Sequence, residues 1–293
     1  MVLFRIFAAR NAAARWLRPA DRLLTMKQIL LINDVVGYSH VGMVAMMPIL
    51  TYMGHPTYNL PTALVSNTLD YGRFNVLDTT DYMRGTLPVW SELGFRFDAV
   101  CTGLMFSEEQ ALLVAGYCKQ LSSQGTTVFV DPIMGDSGHL YNGIGSRHVQ
   151  LMRDMVSVAD LTLPNYTEAC YLTDTPYKAD GITEEEVLEL VEKLRALGAK
   201  SVLITSILLA DGSHVVAGYE GEFFLLPYDE IPVHFPGTGD IFSAIVDGHL
   251  LRGDSLRSSA RIAMDTLSHW IEANKENKDK NRGIPLERHL EEL

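Results

Sequence analysis

Residues 234–251, His-Phe-Pro-Gly-Thr-Gly-Asp-Ile-Phe-Ser-Ala-Ile-Val-Asp-Gly-His-Leu-Leu, bring together residue types that handle a phosphate: two glycines, a threonine and one carboxylate, Asp240. Pro236, Gly237 and Gly239 break a strand-like run, and Ile241, Phe242, Ile245, Val246 and Leu250 then fall at helical spacing, which predicts a glycine turn opening a helix. The first backbone N–H groups of a helix have no partner inside it, and with the helix dipole behind them they favour an anion. Gly237 and Gly239 carry no Cβ to hold a ligand's oxygens away from those groups. Asp240 next to a phosphate is repelled unless a cation or a hydroxyl proton stands between them, which is the arrangement that deprotonating a phosphoryl acceptor requires. The stretch is not a dinucleotide fingerprint, because Phe242 takes the third glycine's place, nor a Walker loop, because no Gly-Lys-Ser/Thr follows. Taken alone, it serves equally well as an ordinary helix-starting turn.

Such a turn acts on a ligand only if a frame holds other polar groups opposite it. From Lys27 the chain alternates. Gln28–Ile32 reads as a strand buried on both faces and Val41–Met53, closed by Gly54, as its crossover helix; a strand-like stretch 57–65 and a less regular region through Gly94 follow. Residues 98–102 read as a strand, and Ser107 with Gln110 as a capping box starting a helix that Gly125 stops. Then come strand 126–130, helix 145–157, strand 160–163, helix 166–173, a helix capped by Thr183 and Glu186 and stopped at Gly198, and strand 201–205. Residues 213–235 look like an antiparallel hairpin at a sheet edge, and Asp254 and Ser255 cap a last long helix whose outer end, 275–282, is a charge run read as solvated. Strand and helix in alternation imply an α/β three-layer sandwich, a mostly parallel central sheet with helices on both faces.

Ligands of such sheets bind beyond the carboxyl ends of the strands. Polar residues gather there: Asn33, Asp34 and His40 after the first strand, Asp131, Asp136 and Tyr141 after the strand ending at Val130, Asn165 and Glu168 after Leu163, and Thr205 and Ser206 after the fifth strand. A single Asp at a strand end is often only the cap of the next helix. Several clusters on one edge, facing a glycine-rich anion site, form a more specific pattern. Asp131, Asp136 and Glu168 would repel one another there unless something positive joined them, and magnesium carried in by a nucleotide suits such oxygen ligands.

Composition narrows the classes. The chain has 293 residues, 47% of them apolar, and a formal net charge of −12, which argues against a nucleic-acid or anionic-membrane partner. No apolar run reaches the length of a membrane span. Cys101, Cys118 and Cys170 show no metal-type spacing and read as packed thiols in a reducing cytosol. Residues 1–25 form an uncertain extension with Arg5, Arg10, Arg15, Arg18 and Arg22 against the single acid Asp21. It is read first as an upstream start with Met26 the true initiator, and otherwise as a transit peptide or a frayed surface helix. Residues 26–293 are expected to form one domain.

Gly237-Thr-Gly-Asp240, Asp131-Pro-Ile-Met-Gly-Asp136, Pro164-Asn165-x-x-Glu168, Gly37-Tyr-Ser-His40-Val-Gly42 and Ser66–Gly72 together resemble the ribokinase superfamily, most closely its pyridoxal and pyridoxamine kinases, over residues 27–273. The resemblance implies a cytoplasmic kinase, usually a homodimer, that uses magnesium to move the γ-phosphoryl group of ATP to the hydroxymethyl oxygen of pyridoxal, pyridoxine or pyridoxamine. Carried onto this chain, Asp240 takes the hydroxyl proton, and the amides of Gly237, Thr238 and Gly239 hold the developing charge. Asp131, Asn165 and Glu168, with Asp136 nearby, serve the metal and its waters, while Tyr141 approaches the phosphates. Thr205 and Ser206 line the nucleotide cleft, and the 225–235 segment walls the adenine.

The acceptor side departs from the pattern. Asp34 stands where a serine is usual, Leu64 near a position often polar, and Leu104 in place of a tyrosine, all at expected acceptor contacts. His40 either reaches the acceptor or fixes the turn before the next helix. Two alternatives therefore stay beside the vitamin B6 reading: a superfamily kinase for a sugar, nucleoside or hydroxymethylpyrimidine, and a protein that binds nucleotide or pyridoxal phosphate without turnover.

Overall fold

The computed structural model describes residues 26–141 and 144–293; the reading of the extension 1–25 falls outside them. Among the described residues there are eleven strands, and the inner ones alternate with helices as the sequence pattern predicts, whereas β3 (Val76–Asp78) and the short β6 (Gly135–Asp136) and β7 (His139–Leu140) were not expected. Nine of the strands form one sheet in the order β11-β10-β9-β8-β5-β4-β1-β2-β3. The inner six, β9 (Ser201–Leu208), β8 (Leu161–Thr162), β5 (Thr127–Val130), β4 (Ala99–Thr102), β1 (Ile29–Tyr38) and β2 (Thr57–Asn67), run parallel. Antiparallel strands finish both edges: β3 (Val76–Asp78) on one side, and the hairpin β10 (His214–Glu220) and β11 (Glu222–Tyr228) on the other. A two-residue pair, β6 (Gly135–Asp136) with β7 (His139–Leu140), lies outside the sheet.

Side-chain alternation along the strands divides the core between the two faces. Leu30, Ile32, Val100, Val128 and Val130 pack with helices Thr80–Glu92, Glu108–Ser123, Ser146–Val156, Tyr166–Leu172 and Glu184–Ala196. Ile29, Leu31, Ala99, Cys101 and Phe129 pack with helices Met43–Tyr52, Thr238–Leu251 and Leu256–Asn274. Strands with both faces buried must be apolar throughout, which is why they read as continuous runs rather than alternating ones. The three cysteines are free and buried, as expected for packed thiols.

Several local expectations are corrected. β1 does not stop at Ile32: after a register shift between Asn33 and Val35 it continues beside β2 as far as Tyr38, so Asn33 and Asp34 lie within the strand rather than beyond it. The region before Gly94 is not irregular, for it holds β3 and the helix Thr80–Glu92, which Gly85 and Pro88 had masked. Ser107 caps its helix by accepting from the Gln110 N–H, but the Gln110 side chain returns to the Phe106 N–H and not to Ser107. At the last helix Ser255 is the cap, whereas Asp254 binds His249. The charge run after it is no helix end: the helix closes at Asn274, and the chain turns back as a strap across the carboxyl edge of the sheet.

Candidate active site

The predicted glycine turn and helix are present, with Gly237 as the helix N-cap at φ 84° and Asp240 in the first turn. Gly237 is required by its backbone. Its left-handed φ disfavours a side chain, and a Cβ there would collide with the carbonyl oxygen of His40. Gly239 is different: a Cβ would meet nothing within 4 Å, so the absent side chain leaves open space at the helix mouth. The hydroxyl of Thr238 turns back to the Phe235 carbonyl at 3.3 Å, which leaves its N–H as part of the anion-favouring end.

Asp240 is partly buried and held at both oxygens. The Gly42 N–H donates to Oδ2 at 2.8 Å, and Asn33 Nδ2 donates to Oδ1 at 3.1 Å. Loss of solvent raises its pKa, and those two donors oppose the rise. Asn33 is itself fixed, because its Oδ1 accepts from the N–H groups of Asp34 and Leu104, each at 2.9 Å. The sequence placed Asn33 in the strand-end cluster and Gly42 in the Gly37–Gly42 motif but gave neither a role at Asp240. The role of Asn33 depends on a partner 207 positions along the chain, and Gly42 acts through its backbone and leaves no side-chain signature.

Asp131 and Glu168 come together from neighbouring strand ends. The pKa of Asp131 lies well above the carboxylate range, first through loss of solvent and then through Glu168 and Asp240. Ser243, one turn along the helix from Asp240, donates its hydroxyl to Asp131 Oδ2 at 3.0 Å. Glu168 is 2% exposed and pushed up to about 8 by burial, against N–H donors at Asn165 and Met134. Its capping box with Asn165 gives it a structural task, and Asn165 Nδ2 also donates to the Gly135 carbonyl at 2.8 Å. No basic side chain among the described residues offsets these acids. Nor do the described residues contain three His, Cys, Asp or Glu side chains grouped to hold a metal by themselves. Asp136 lies in the small β6–β7 pair, exposed, with the Ser137 N–H on its Oδ1, near enough to add to the rise at Glu168.

Tyr141 is 47% exposed beyond that pair, and its hydroxyl is pushed up by loss of solvent and then by Glu168, Asp136, Asp131 and Asp240, so it lies within electrostatic reach of the acids. Thr205 and Ser206 lie within β9 rather than after it, at a bulge where the pairing with β10 slips; Ser206 sits at φ 60°. On the acceptor side Asp34 is 7% exposed and pushed up to about 7 by burial and by Asp240. Leu104 follows β4 and is tied to Asn33 through its N–H, whereas Leu64 on β2 is 44% exposed. The ring of His40 pairs with Glu287, Nε2 to Oε2 3.2 Å, and burial lowers its pKa despite that carboxylate.

The geometry gives one carboxylate positioned at a helix mouth, open space beside it and further acids opposite. That arrangement can bind a phosphorylated ligand and take a proton from a hydroxyl. A family model described as phosphomethylpyrimidine kinase matches residues 54–284. The pyridoxal kinase PdxY of Leifsonia xyli subsp. xyli is 30% identical over 270 residues, 84% of this chain and 90% of that protein. A Bacteroides thetaiotaomicron protein, provisionally designated a phosphomethylpyrimidine kinase and crystallised with pyridoxal, superposes with TM-score 0.86 at 35% identity, covering 91% of this chain and 95% of that one. Pyridoxal kinase from Lactobacillus plantarum gives TM-score 0.82 at 28% identity, covering 91% and 96%.

Proposed function

The chain belongs to the phosphomethylpyrimidine kinase family, with a ribokinase-like fold, and from that premise we propose that it transfers the γ-phosphoryl group of ATP to the hydroxymethyl oxygen of pyridoxal, pyridoxine or pyridoxamine. The observation that carries the reading is Asp240, held by the Gly42 N–H and Asn33 beside the open face of Gly239. Phosphoryl transfer asks a protein for positioning and charge stabilisation more than for covalent chemistry. Asp240 accepts the acceptor's hydroxyl proton, and its raised pKa improves it as a base near neutrality. The N–H groups of Gly237, Thr238 and Gly239 hold the charge on the transferring group. Asn165, Thr205, Ser206 and Tyr141 border the nucleotide.

Magnesium fits the donor set, since Asp131 and Glu168 are oxygen donors without a basic partner. Both Glu168 oxygens already take backbone N–H groups, so Asp131 is the stronger candidate, with Glu168, Asn165 and Asp136 acting through water. Bound there, the ion would offset phosphate charge. Asp34, Leu64 and Leu104 are assigned to the acceptor side, and His40, whose ring is held by Glu287, to fixing the turn before the next helix. A homodimer acting in the cytoplasm completes the reading, and sedimentation of the purified protein tests the oligomer.

Replacing Asp240 with Ala is expected to lower turnover about a hundredfold to ten-thousandfold while ATP still binds. A phosphorylation assay comparing pyridoxal, pyridoxamine, hydroxymethylpyrimidine and ribose tests the acceptor, and preferred turnover of ribose overturns the B6 assignment. Hydroxymethylpyrimidine is the second reading, supported by the description of the family.

A further inference from the structure

The strap that follows the last helix crosses the carboxyl edge and touches three of its loops. At its start Tyr71 donates its hydroxyl to Asp279 at 2.6 Å, and Thr68 donates to the Asn281 carbonyl at 2.7 Å. At its end Ile284 and Leu286 are buried in the core, 0% and 2% exposed, and beyond them His289 stacks on Trp270 with ring centroids 5.3 Å apart. Between these anchors it meets His40. The His40 N–H donates to the Arg282 carbonyl at 2.9 Å, and the ring Nε2 lies 3.2 Å from Glu287 Oε2. The carbonyl of His40 is wedged between two left-handed glycines, Gly237 at the helix mouth and Gly283 of the strap, where a Cβ would come within 3.1 Å of the His40 and Pro236 carbonyls.

Two residues beyond His40 is Gly42, whose N–H holds the base. His40 is thus fixed on its N–H, carbonyl and ring, and the stretch it fixes ends at the donor to Asp240. A base displaced by even an ångström from its productive position loses much of its effect.

We propose that the strap, through Glu287 and His40, is the positioning element of the catalytic base: it holds the 40–42 loop where the Gly42 N–H meets Asp240. The contacts carry this without any ligand: Glu287 holds the His40 ring, and Arg282 of the strap lies over the Tyr38 ring, 5.3 Å from its centroid, where the chain enters the loop. Glu287 is a positioning residue, 59% exposed in its side chain, and its removal leaves the core untouched. The proposal rests on the reading of Asp240 as base.

The test uses the full chain with ATP, magnesium and pyridoxal, comparing Glu287→Ala, Glu287→Gln, Gly283→Ala and Asp240→Asn. Glu287→Ala is expected to lower kcat about tenfold, with KM for ATP unchanged and the melting temperature close to wild type. Glu287→Gln, which keeps an acceptor for the imidazole, recovers most of kcat. Exchange of the Gly42 amide hydrogen speeds up in Glu287→Ala and returns towards wild type in Glu287→Gln. Gly283→Ala, which pushes the strap away from His40, lowers kcat in the same sense. Full kcat in Glu287→Ala, a loss that Glu287→Gln fails to recover, or unchanged exchange at Gly42 overturns the proposal. Asp240→Asn separates the two levels: activity retained there removes the base itself, whereas an inactive Asp240→Asn beside fully active strap variants removes only the role of the strap.

Discussion

Asp240 lies near enough to Asp34 to repel its charge, and no basic residue figures among the causes that shift Asp34, so the state of one depends on the other. Burial and the neighbouring Asp240 push Asp34 up to about 7; its carboxyl is neutral on the acid side of that value and ionised above it. An acceptor carrying a positive charge, such as the aminomethyl group of pyridoxamine, should gain as Asp34 ionises. We expect KM for pyridoxamine to fall severalfold as pH rises through about 7. Asp34→Asn should flatten that dependence while the response of pyridoxal changes little; parallel kcat/KM profiles for the two acceptors check this. At the residue scale the sequence was readable for the placement of side chains, with Asp131 and Asn165 just beyond strand ends and Asp240 in the first turn of a helix. Gly42 was not readable, because a backbone N–H has the same signature at every position. His40 could be read two ways, and its ring in fact binds Glu287, a partner 247 positions along the chain that no local pattern identifies.

The helix Thr238–Leu251 is more than a mount for Asp240. Asp240, Ser243 and Asp247 recur at helical spacing and look towards the sheet. Asp247 is 1% exposed, one of its oxygens lacks a partner, and burial pushes it up to about 7 against a hydrogen bond from Cys101. Its folded pKa lies above its unfolded one, so the stability it contributes is complete below the ordinary carboxylate range and is lost as pH rises through about 7. Asp247→Asn keeps the shape and removes the ionisation. It should match wild type on the acid side and exceed it above neutrality by on the order of 1–3 kcal/mol, read as the urea midpoint across pH. The sequence predicted this helix correctly, since Ile241, Phe242, Ile245 and Val246 mark its buried face. It did not predict the helix Thr80–Glu92, where Gly85 and Pro88 imitate a loop and packing of Met83 and Leu87 overrides them.

Across the molecule, raised carboxyl pKa values outnumber lowered ones in the interior. Asp34 and Asp247 rise to about 7 and Glu168 to about 8, and Asp131 and Asp240 move the same way. Each binds its proton more tightly folded than unfolded, so their joint contribution is present at low pH and disappears as pH passes through about 7 and 8. The surface acids Asp78 and Asp211 are shifted downwards and act in the opposite sense, losing stability only below the ordinary carboxylate range. The urea midpoint of the unliganded protein should therefore peak on the acid side of neutrality and decline towards alkaline pH; a flat profile would contradict this account. The layered fold itself was legible because strands with two buried faces and capped helices alternate without interruption. The strap was not, because a run of charges reads as solvent-facing when its contacts lie far off in sequence.

The carboxylate assigned as base takes its two donors from residues 207 and 198 positions earlier. A chain still emerging from the ribosome therefore holds the opening strand and its loop long before their counterpart exists. A product of premature termination that stops before the helix Thr238–Leu251 lacks the carboxylate altogether, and with it the activity proposed for Asp240.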